Sequence, residues 1–384
     1  MHMSRFQNIV NFIKQQFPGK GFITLHEPVF NGNEKKYVNE TIETTFVSSV
    51  GPFVMQFEQM MCDITGAKHA IAIVNGTSAL HMALILSDVE DGDEVLSQSL
   101  TFIATCNAIS YLKASPVFLD VDLDTLGMSP ESLSNFLNKN AEVKSNGFAY
   151  NKTTGKRIKA CVPMHTFGFP CRIDEIASIC SKWNITLIED AAESIGSYYK
   201  GKHTGTFGNI GTFSFNGNKT VTCGGGGALI TNDEQIAAKA KHLTTQAKVP
   251  HKWAFIHDQI GYNYRMPNIN AALACAQLEQ LEAFVENKRH LAELYSAYFS
   301  SINIKHVVEI KHAKANYWLN AILFDNKEER EAFLEFANSN GVMSRPVWEL
   351  MHQLPMFENF MTADLLNSEW IAERLVNIPS SIRS

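Results

Sequence analysis

Between residues 70 and 190, short apolar runs alternate with stretches whose apolar residues recur at helical spacing. Ala70 to Val74, Glu94 to Ser97, Pro116 to Leu119, Ile158 to Met164 and Thr186 to Ile188 read as strands. Helices are predicted over 78–86, 102–112 and 174–183. Another is predicted after Ser129-Pro130-Glu131, where an N-cap, a proline at the first helical position and an early acid follow one another. This βαβα rhythm predicts a mostly parallel sheet with helices on its faces, an α/β protein. Beyond Asp233 the pattern changes. A helix is predicted over 234–243, then a loop from Gln246 to His257 rich in Lys, Pro, His and Trp. Pro267 opens a long helical stretch to about Tyr298, with Leu273, Leu278, Leu281, Phe284, Leu291 and Leu294 on its apolar side. The last hundred residues read as a smaller α+β unit, and the expected boundary falls near residue 260.

Composition narrows the class. The 384 residues are 45% hydrophobic and 19% charged, enough for one large and one smaller core and unlike a disordered chain. The net charge of −6 argues against a nucleic-acid binder, although backbone donors can hold a phosphate without a basic chain. Seven cysteines, none in a C-x-x-C pair, read as reduced buried thiols. No metal-ligand spacing, signal-peptide pattern or membrane-length apolar run is present, so a soluble cytoplasmic protein is expected.

Three segments carry candidate chemistry. Asn75-Gly76-Thr77-Ser78 ends a strand and opens a helix, placing free amides and hydroxyls where a phosphate can sit. The same turn also reads as a plain N-cap. Glu189-Asp190-Ala191-Ala192-Glu193 puts acids at the end of a buried strand, where open α/β sheets bind ligands. A carboxylate there can hold a protonated ring nitrogen, or simply cap the following turn. Ser214-Phe215-Asn216-Gly217-Asn218-Lys219 places a lysine shortly before the glycines 224–227. Such a lysine can attack a carbonyl, whereas a lone one is more often just solvated. The glycine run lacks the G-x-G-x-x-G spacing of a dinucleotide loop. Together, lysine, acid and phosphate cup are what pyridoxal phosphate requires.

On these segments, with Thr101-Phe102-Ile103-Ala104-Thr105 and Gly261-Tyr262-Asn263-Tyr264-Arg265, the chain resembles the DegT/DnrJ/StrS family of sugar aminotransferases from about Pro28 onward. His26-Glu27-Pro28, Gly32-Asn33-Glu34, 46–51 and Asn216-Gly217-Asn218-Lys219 resemble its LegC-type branch. The resemblance implies the type I aminotransferase fold, with a large cofactor-binding domain over 1–260, including an N-terminal arm, and a small domain over 261–384. It implies that Lys219 binds the cofactor's aldehyde and moves the proton, and that Asp190 binds the pyridine nitrogen. Thr77, Ser78 and Ser214, with backbone donors near Gly76, are the implied phosphate ligands. Phe102 is expected to stack on the ring, or else to be an ordinary core aromatic. Glu193 stands where many relatives carry Gln or His, and either the cofactor's phenolic oxygen or the substrate is its expected contact. Asn263 is expected to reach the phosphate of a second subunit, giving a homodimer with shared sites into which the 246–257 loop also enters. His165, Arg345, Trp348 and His352 are candidate contacts to sugar or nucleotide. The implied reaction moves an amino group from L-glutamate to a UDP-linked 4-keto-6-deoxy-N-acetylhexosamine, releasing 2-oxoglutarate. Two alternatives stand beside it: a dehydratase-like enzyme, whose relatives carry His in place of the lysine, and a non-catalytic regulatory homologue.

Overall fold

The structure, a computed structural model, describes residues 2–383. Its main sheet has seven strands: β1 (His69–Ile73), β2 (Glu94–Gln98), β3 (Ser115–Leu119), β4 (Ile158–Val162), β5 (Thr186–Asp190), β6 (Ile210–Ser214) and β7 (Gly227–Thr231). Their order is β1-β7-β6-β5-β4-β2-β3. The pairs from β6 to β3 are parallel, and β7 runs antiparallel to both its neighbours. β2 and β3 are buried along their whole length, as a sheet covered on both faces requires.

The helices are α1 (His2–Gln16), α2 (Glu34–Glu43), α3 (Pro52–Thr65), α4 (Gly76–Leu86), α5 (Ile103–Tyr111), α6 (Pro130–Asn140), α7 (Ile173–Lys182), α8 (Glu234–Thr244), α9 (Asn268–Leu278), α10 (Leu281–Ser301), α11 (Lys327–Ser339) and α12 (Leu366–Ala372). Local sequence explains several of their starts. The side chains of Asn75, Ser129 and Asp233 accept hydrogen bonds from first-turn amides of α4, α6 and α8. The alternating elements expected from the hydrophobic pattern are present, with ends shifted by a few residues. No helix among the described residues is long and apolar enough to cross a membrane.

The expected single helix over 267–298 is instead two, α9 and α10, broken at Glu279 and Gln280. Gln277 and Gln280 each donate to Glu34 Oε1, at 2.7 and 2.8 Å, tying this corner to α2. The break lets α9 keep its small residues, Ala271, Ala272, Ala274 and Cys275, in the core beside the main sheet. α10 then serves two cores: Leu281 and Val285 join that of the main sheet, whereas Leu291, Tyr295 and Phe299 join a second. The second core lies on a four-stranded antiparallel sheet, β8 (Lys305–His306), β9 (Asn320–Leu323), β10 (Arg345–Pro346) and β11 (Leu375–Ile378), ordered β8-β9-β11-β10. Phe6, Ile9, Val10 and Ile13 of α1 pack into this second core with Phe324 and Phe333.

Asn268 is the least obvious of the structural residues. It is buried at the start of α9, and its Oδ1 accepts from the Phe53 and Val54 amides at 3.0 and 3.3 Å, capping α3 from a distance. Its Nδ2 donates to the Phe46 carbonyl at 2.6 Å. A Cβ on Gly51 would come within 2.2 Å of the Asn268 Cγ, so that position requires glycine. Asn268→Ala strands buried amides and a carbonyl, and should cost about 2–3 kcal/mol in urea unfolding. A loss below about 0.5 kcal/mol would show that these groups find other partners.

Candidate active site

β5 ends in acids that the fold buries, and each is surrounded by donors. Glu189 accepts from the Gly205, Phe207 and Gly208 amides at 2.7, 2.6 and 2.7 Å. His165 Nε2 lies 3.0 Å from the same carboxylate, and the Cys171 amide donates to His165 Nδ1 at 3.3 Å. Nδ1 is therefore the acceptor, and Nε2–H donates to Glu189. Asp190 accepts from Thr105 Oγ1 at 2.8 Å and from the Ala192 amide at 3.2 Å. Burial raises its pKa, opposed by Thr105, Ala192, Lys219 and His165.

Glu193 completes the row. Its Oε2 accepts from the Phe167 amide at 2.8 Å, and its Oε1 is 3.0 Å from Lys219 Nζ. Burial pushes its carboxyl up to about 7, against the opposing pull of Lys219. Lys219 is itself only 12% exposed and sits 3.8 Å from the centre of the Trp318 ring. Trp318 is pinned by Nε1–H donation to the Asn218 carbonyl at 2.7 Å and by its amide on Asn316 Oδ1 at 2.8 Å. Asn316 Nδ2 in turn donates to the Glu193 and Ile195 carbonyls at 2.9 and 2.8 Å. Phe167 has φ +56°, a left-handed conformation that costs a non-glycine residue about 1–2 kcal/mol. The Glu193 bond and the packing of its ring on Trp318 and Trp348 offset that cost.

The second half of the site is the start of α4. Asn75 Oδ1 accepts from the Ser78 amide at 2.8 Å, leaving the first amides outside the helix's own ladder. A Cβ on Gly76 would lie 2.8 Å from the Ser214 Cβ, so only glycine lets β6 and α4 approach this closely. The 261–265 motif runs alongside. Val74 donates to the Tyr264 carbonyl at 2.9 Å, and the Tyr264 hydroxyl is 3.1 Å from His81 Nδ1.

Of the residues expected from sequence, Gly76 and Ser214 adjoin where Thr77 and Ser78 open α4, and Asp190, Glu193 and Lys219 gather beside the ends of β5 and β6. Phe102 is not a core aromatic. It is 47% exposed, with its ring edge-on to Trp348 at 5.9 Å. Asn263 is exposed on the 261–265 motif. Arg345 and Trp348 line a cavity of about 540 Å³ with His26, Phe167, Asn218 and Trp318. The two other candidate histidines stand outside that lining. His165 is fully buried with both ring nitrogens engaged by the protein. His352 Nδ1 is 2.7 Å from Ser99 Oγ, and its Nε2 is 3.7 Å from Glu369. Neither lines that cavity. Sequence reasoning missed Thr105, Trp318, Asn316 and His26. Thr105 and His26 lie in motifs already singled out, the first also marked by its four-residue spacing from Thr101, and nothing local marks Trp318 or Asn316.

A lysine beside two buried carboxylates and a helix-terminus cradle, on a mostly parallel sheet, defines a pyridoxal-phosphate enzyme of the type I aminotransferase fold. Residues 29–383 match the DegT/DnrJ/EryC1/StrS aminotransferase family, and the chain belongs to it. It is 38% identical over 360 residues to a GDP-perosamine synthase of Escherichia coli O157:H7, covering 94% of this chain and 93% of that one. It is also 38% identical over 337 residues to EpsN of Bacillus subtilis, named a pyridoxal phosphate-dependent aminotransferase, covering 88% and 84%. Among solved structures, a DegT DnrJ EryC1 StrS aminotransferase from Brucella abortus superimposes with a TM-score of 0.81 at 26% identity, over 91% of this chain and 90% of that one. The protein is thus a pyridoxal-phosphate-dependent sugar aminotransferase. The group fits these residues: a buried carboxylate, an amine and a cradle with no room for a side chain at Gly76 lie at one end of the sheet.

The Glu193 carboxyl gives a test of this geometry without cofactor. Its folded-state pKa of about 7 lies above the ordinary 4.5, so the folded protein holds that proton more tightly than the unfolded chain does. The stability this contributes is whole below pH 4.5 and is lost as pH rises through about 7. From about pH 5 to about pH 8, cofactor-free native protein should lose roughly 2–3 kcal/mol relative to Glu193→Gln, read by urea unfolding at each pH. Parallel profiles for the two proteins would contradict the assignment.

Proposed function

We propose that the enzyme transfers the amino group of L-glutamate to a nucleotide-linked 4-keto-6-deoxy sugar, in the cytoplasm, for a surface amino sugar such as a legionaminic-acid-like sugar. The observation that carries this reading is the Lys219–Glu193–Asp190 cluster beside the glycine-shaped start of α4. Pyridoxal phosphate supplies the electron sink and carries the amino group between the two half-reactions. Lys219 Nζ is the amine that would hold its aldehyde, and it would carry the proton that the transfer requires. Asp190 would hold its ring nitrogen. Thr77, Ser78 and Ser214 with the α4 amides would hold its phosphate, and Phe102 would face its ring. Glu193 Oε1 takes or returns the proton of the Lys219 amine, a task suited to a carboxyl whose pKa lies near 7.

The base of the nucleotide is drawn two ways. Relatives named GDP-perosamine synthase favour GDP, and the N-terminal segments that resemble the LegC-type branch favour a UDP-linked N-acetylhexosamine. A homodimer with shared sites is part of the same reading. It is supported by the exposed Trp253, Phe255 and Ile260 on and just beyond the 246–257 loop, and by Asn263 standing exposed nearby.

The test begins with an absorbance spectrum of the purified protein before and after L-glutamate. A cofactor band that shifts on glutamate is expected. Both UDP- and GDP-linked 4-keto-6-deoxy sugars are then supplied, and one should be aminated with ping-pong kinetics. Lys219→Ala should lose the covalently bound chromophore and on the order of a thousandfold or more in turnover. Native turnover in that variant would sink the mechanism. A band that ignores glutamate would overturn the donor.

A further inference from the structure

We infer that His26 recognises the sugar ring of the nucleotide-linked substrate, an inference that rests on the sugar-aminotransferase reading above. The backbone around His26 is firmly held. Ile23 exchanges hydrogen bonds with Gly341 and Met343, at 2.8 and 2.9 Å. The Ser380 amide donates to the Leu25 carbonyl at 2.8 Å, and the Glu27 amide donates to Ser381 Oγ at 2.9 Å. The ring is therefore placed by structure on both sides of it.

Both ring nitrogens of His26 are shut away from solvent and have no hydrogen-bond partner among the described residues. Buried polar groups are almost always paired, so an orphaned imidazole calls for a specific reason. His26 lies in the wall of the cavity that also holds Trp318, Trp348, Asn218 and Arg345. Asn218 precedes Lys219, and Trp318 lies against the Lys219 amine, so a ligand in this cavity is next to the reacting centre.

The chemistry of the wall selects the ligand. Burial first, and then the positive charges of Lys288 and Lys219, hold the His26 pKa well below its usual value, with the Asn218 carbonyl pulling the other way. A neutral imidazole offers one donor and one acceptor. That matches a hydroxyl of a neutral sugar ring and suits a diphosphate poorly, since a diphosphate has only acceptors. The aromatic faces of Trp318, Trp348 and Phe167 suit the apolar C–H faces of such a ring. Arg345, exposed on the same cavity, is the cation placed for the diphosphate.

The test uses holoenzyme carrying His26→Leu or His26→Gln, with calorimetric binding of UDP-N-acetylglucosamine, GDP-mannose and the bare nucleotides UDP and GDP. The native protein should bind one sugar nucleotide more tightly than its bare nucleotide. His26→Leu should weaken that sugar nucleotide about tenfold or more and leave the bare nucleotide within about twofold. His26→Gln, which keeps a donor and an acceptor, should recover part of the loss. The unfolding midpoint of cofactor-free His26→Leu should equal or exceed that of native protein, because two unpaired polar atoms leave the interior. Native affinity of His26→Leu for the sugar nucleotide overturns the inference. So does an equal loss for bare and sugar-linked nucleotide, which assigns the ring to the nucleotide, and so does a lowered unfolding midpoint accompanied by unchanged binding. If native protein binds none of these probes and aminates no nucleotide-linked keto-sugar, the substrate reading fails and the inference falls with it.

Discussion

The structure is organised around three carboxylates that a short stretch of chain carries into the interior. Glu189, Asp190 and Glu193 are all buried, and a buried carboxylate survives only if donors surround it. The surrounding chain is shaped to supply them. The turn at 205–208 aims three amides at Glu189, and α5 brings Thr105 to Asp190. The Phe167 amide reaches Glu193 from a strained left-handed residue, and Lys219 meets Glu193 from the segment after β6. These donors come from four separate parts of the chain, so the acids also fix the spatial relation of those parts.

The acids divide the work among themselves. Glu189, with four donors, is a structural anchor and holds His165 in place beneath the strand ends. Asp190 has two protein donors and retains acceptor capacity for a further proton-bearing partner. Glu193 couples directly to the lysine amine and has a carboxyl poised near 7. Three carboxylates within a few residues thus stand in three different surroundings.

Close approach is the second constraint. Gly76 lets β6 and α4 touch, and Gly227 packs against the Asn75 backbone, where a Cβ would come within 2.5 Å of the carbonyl. The cradle therefore depends on contacts that no larger residue allows. The C-terminal sheet supplies Trp318 and Arg345 close to the sheet ends where the lysine lies. α10 links the two cores, so the site combines residues from both while the helix holds their packing together.

Much of this was legible along the chain. Alternating apolar runs and helical spacing marked the strands and helices around the site, because those elements obey local periods and carry their own caps at Asn75, Ser129 and Asp233. Lys219, Asp190, Gly76 and Ser214 stood out because their chemistry sits in short contiguous motifs. The break between α9 and α10 was not legible, since the apolar spacing continues across Glu279 and only α2 makes the turn necessary. His165 and His352 read as candidate ligand contacts in the sequence, and the fold gives both His165 nitrogens and the His352 Nδ1 protein partners. Trp318 and Asn316 carry no local signal, because each matters through neighbours roughly a hundred or more residues away. The sequence by itself determined the fold class and singled out the motifs that hold Lys219 and Asp190, because period and motif are properties of neighbouring residues. Only the tertiary structure decided which polar groups are spent on one another and which remain free to meet a ligand, because hydrogen-bond satisfaction is settled across the whole chain.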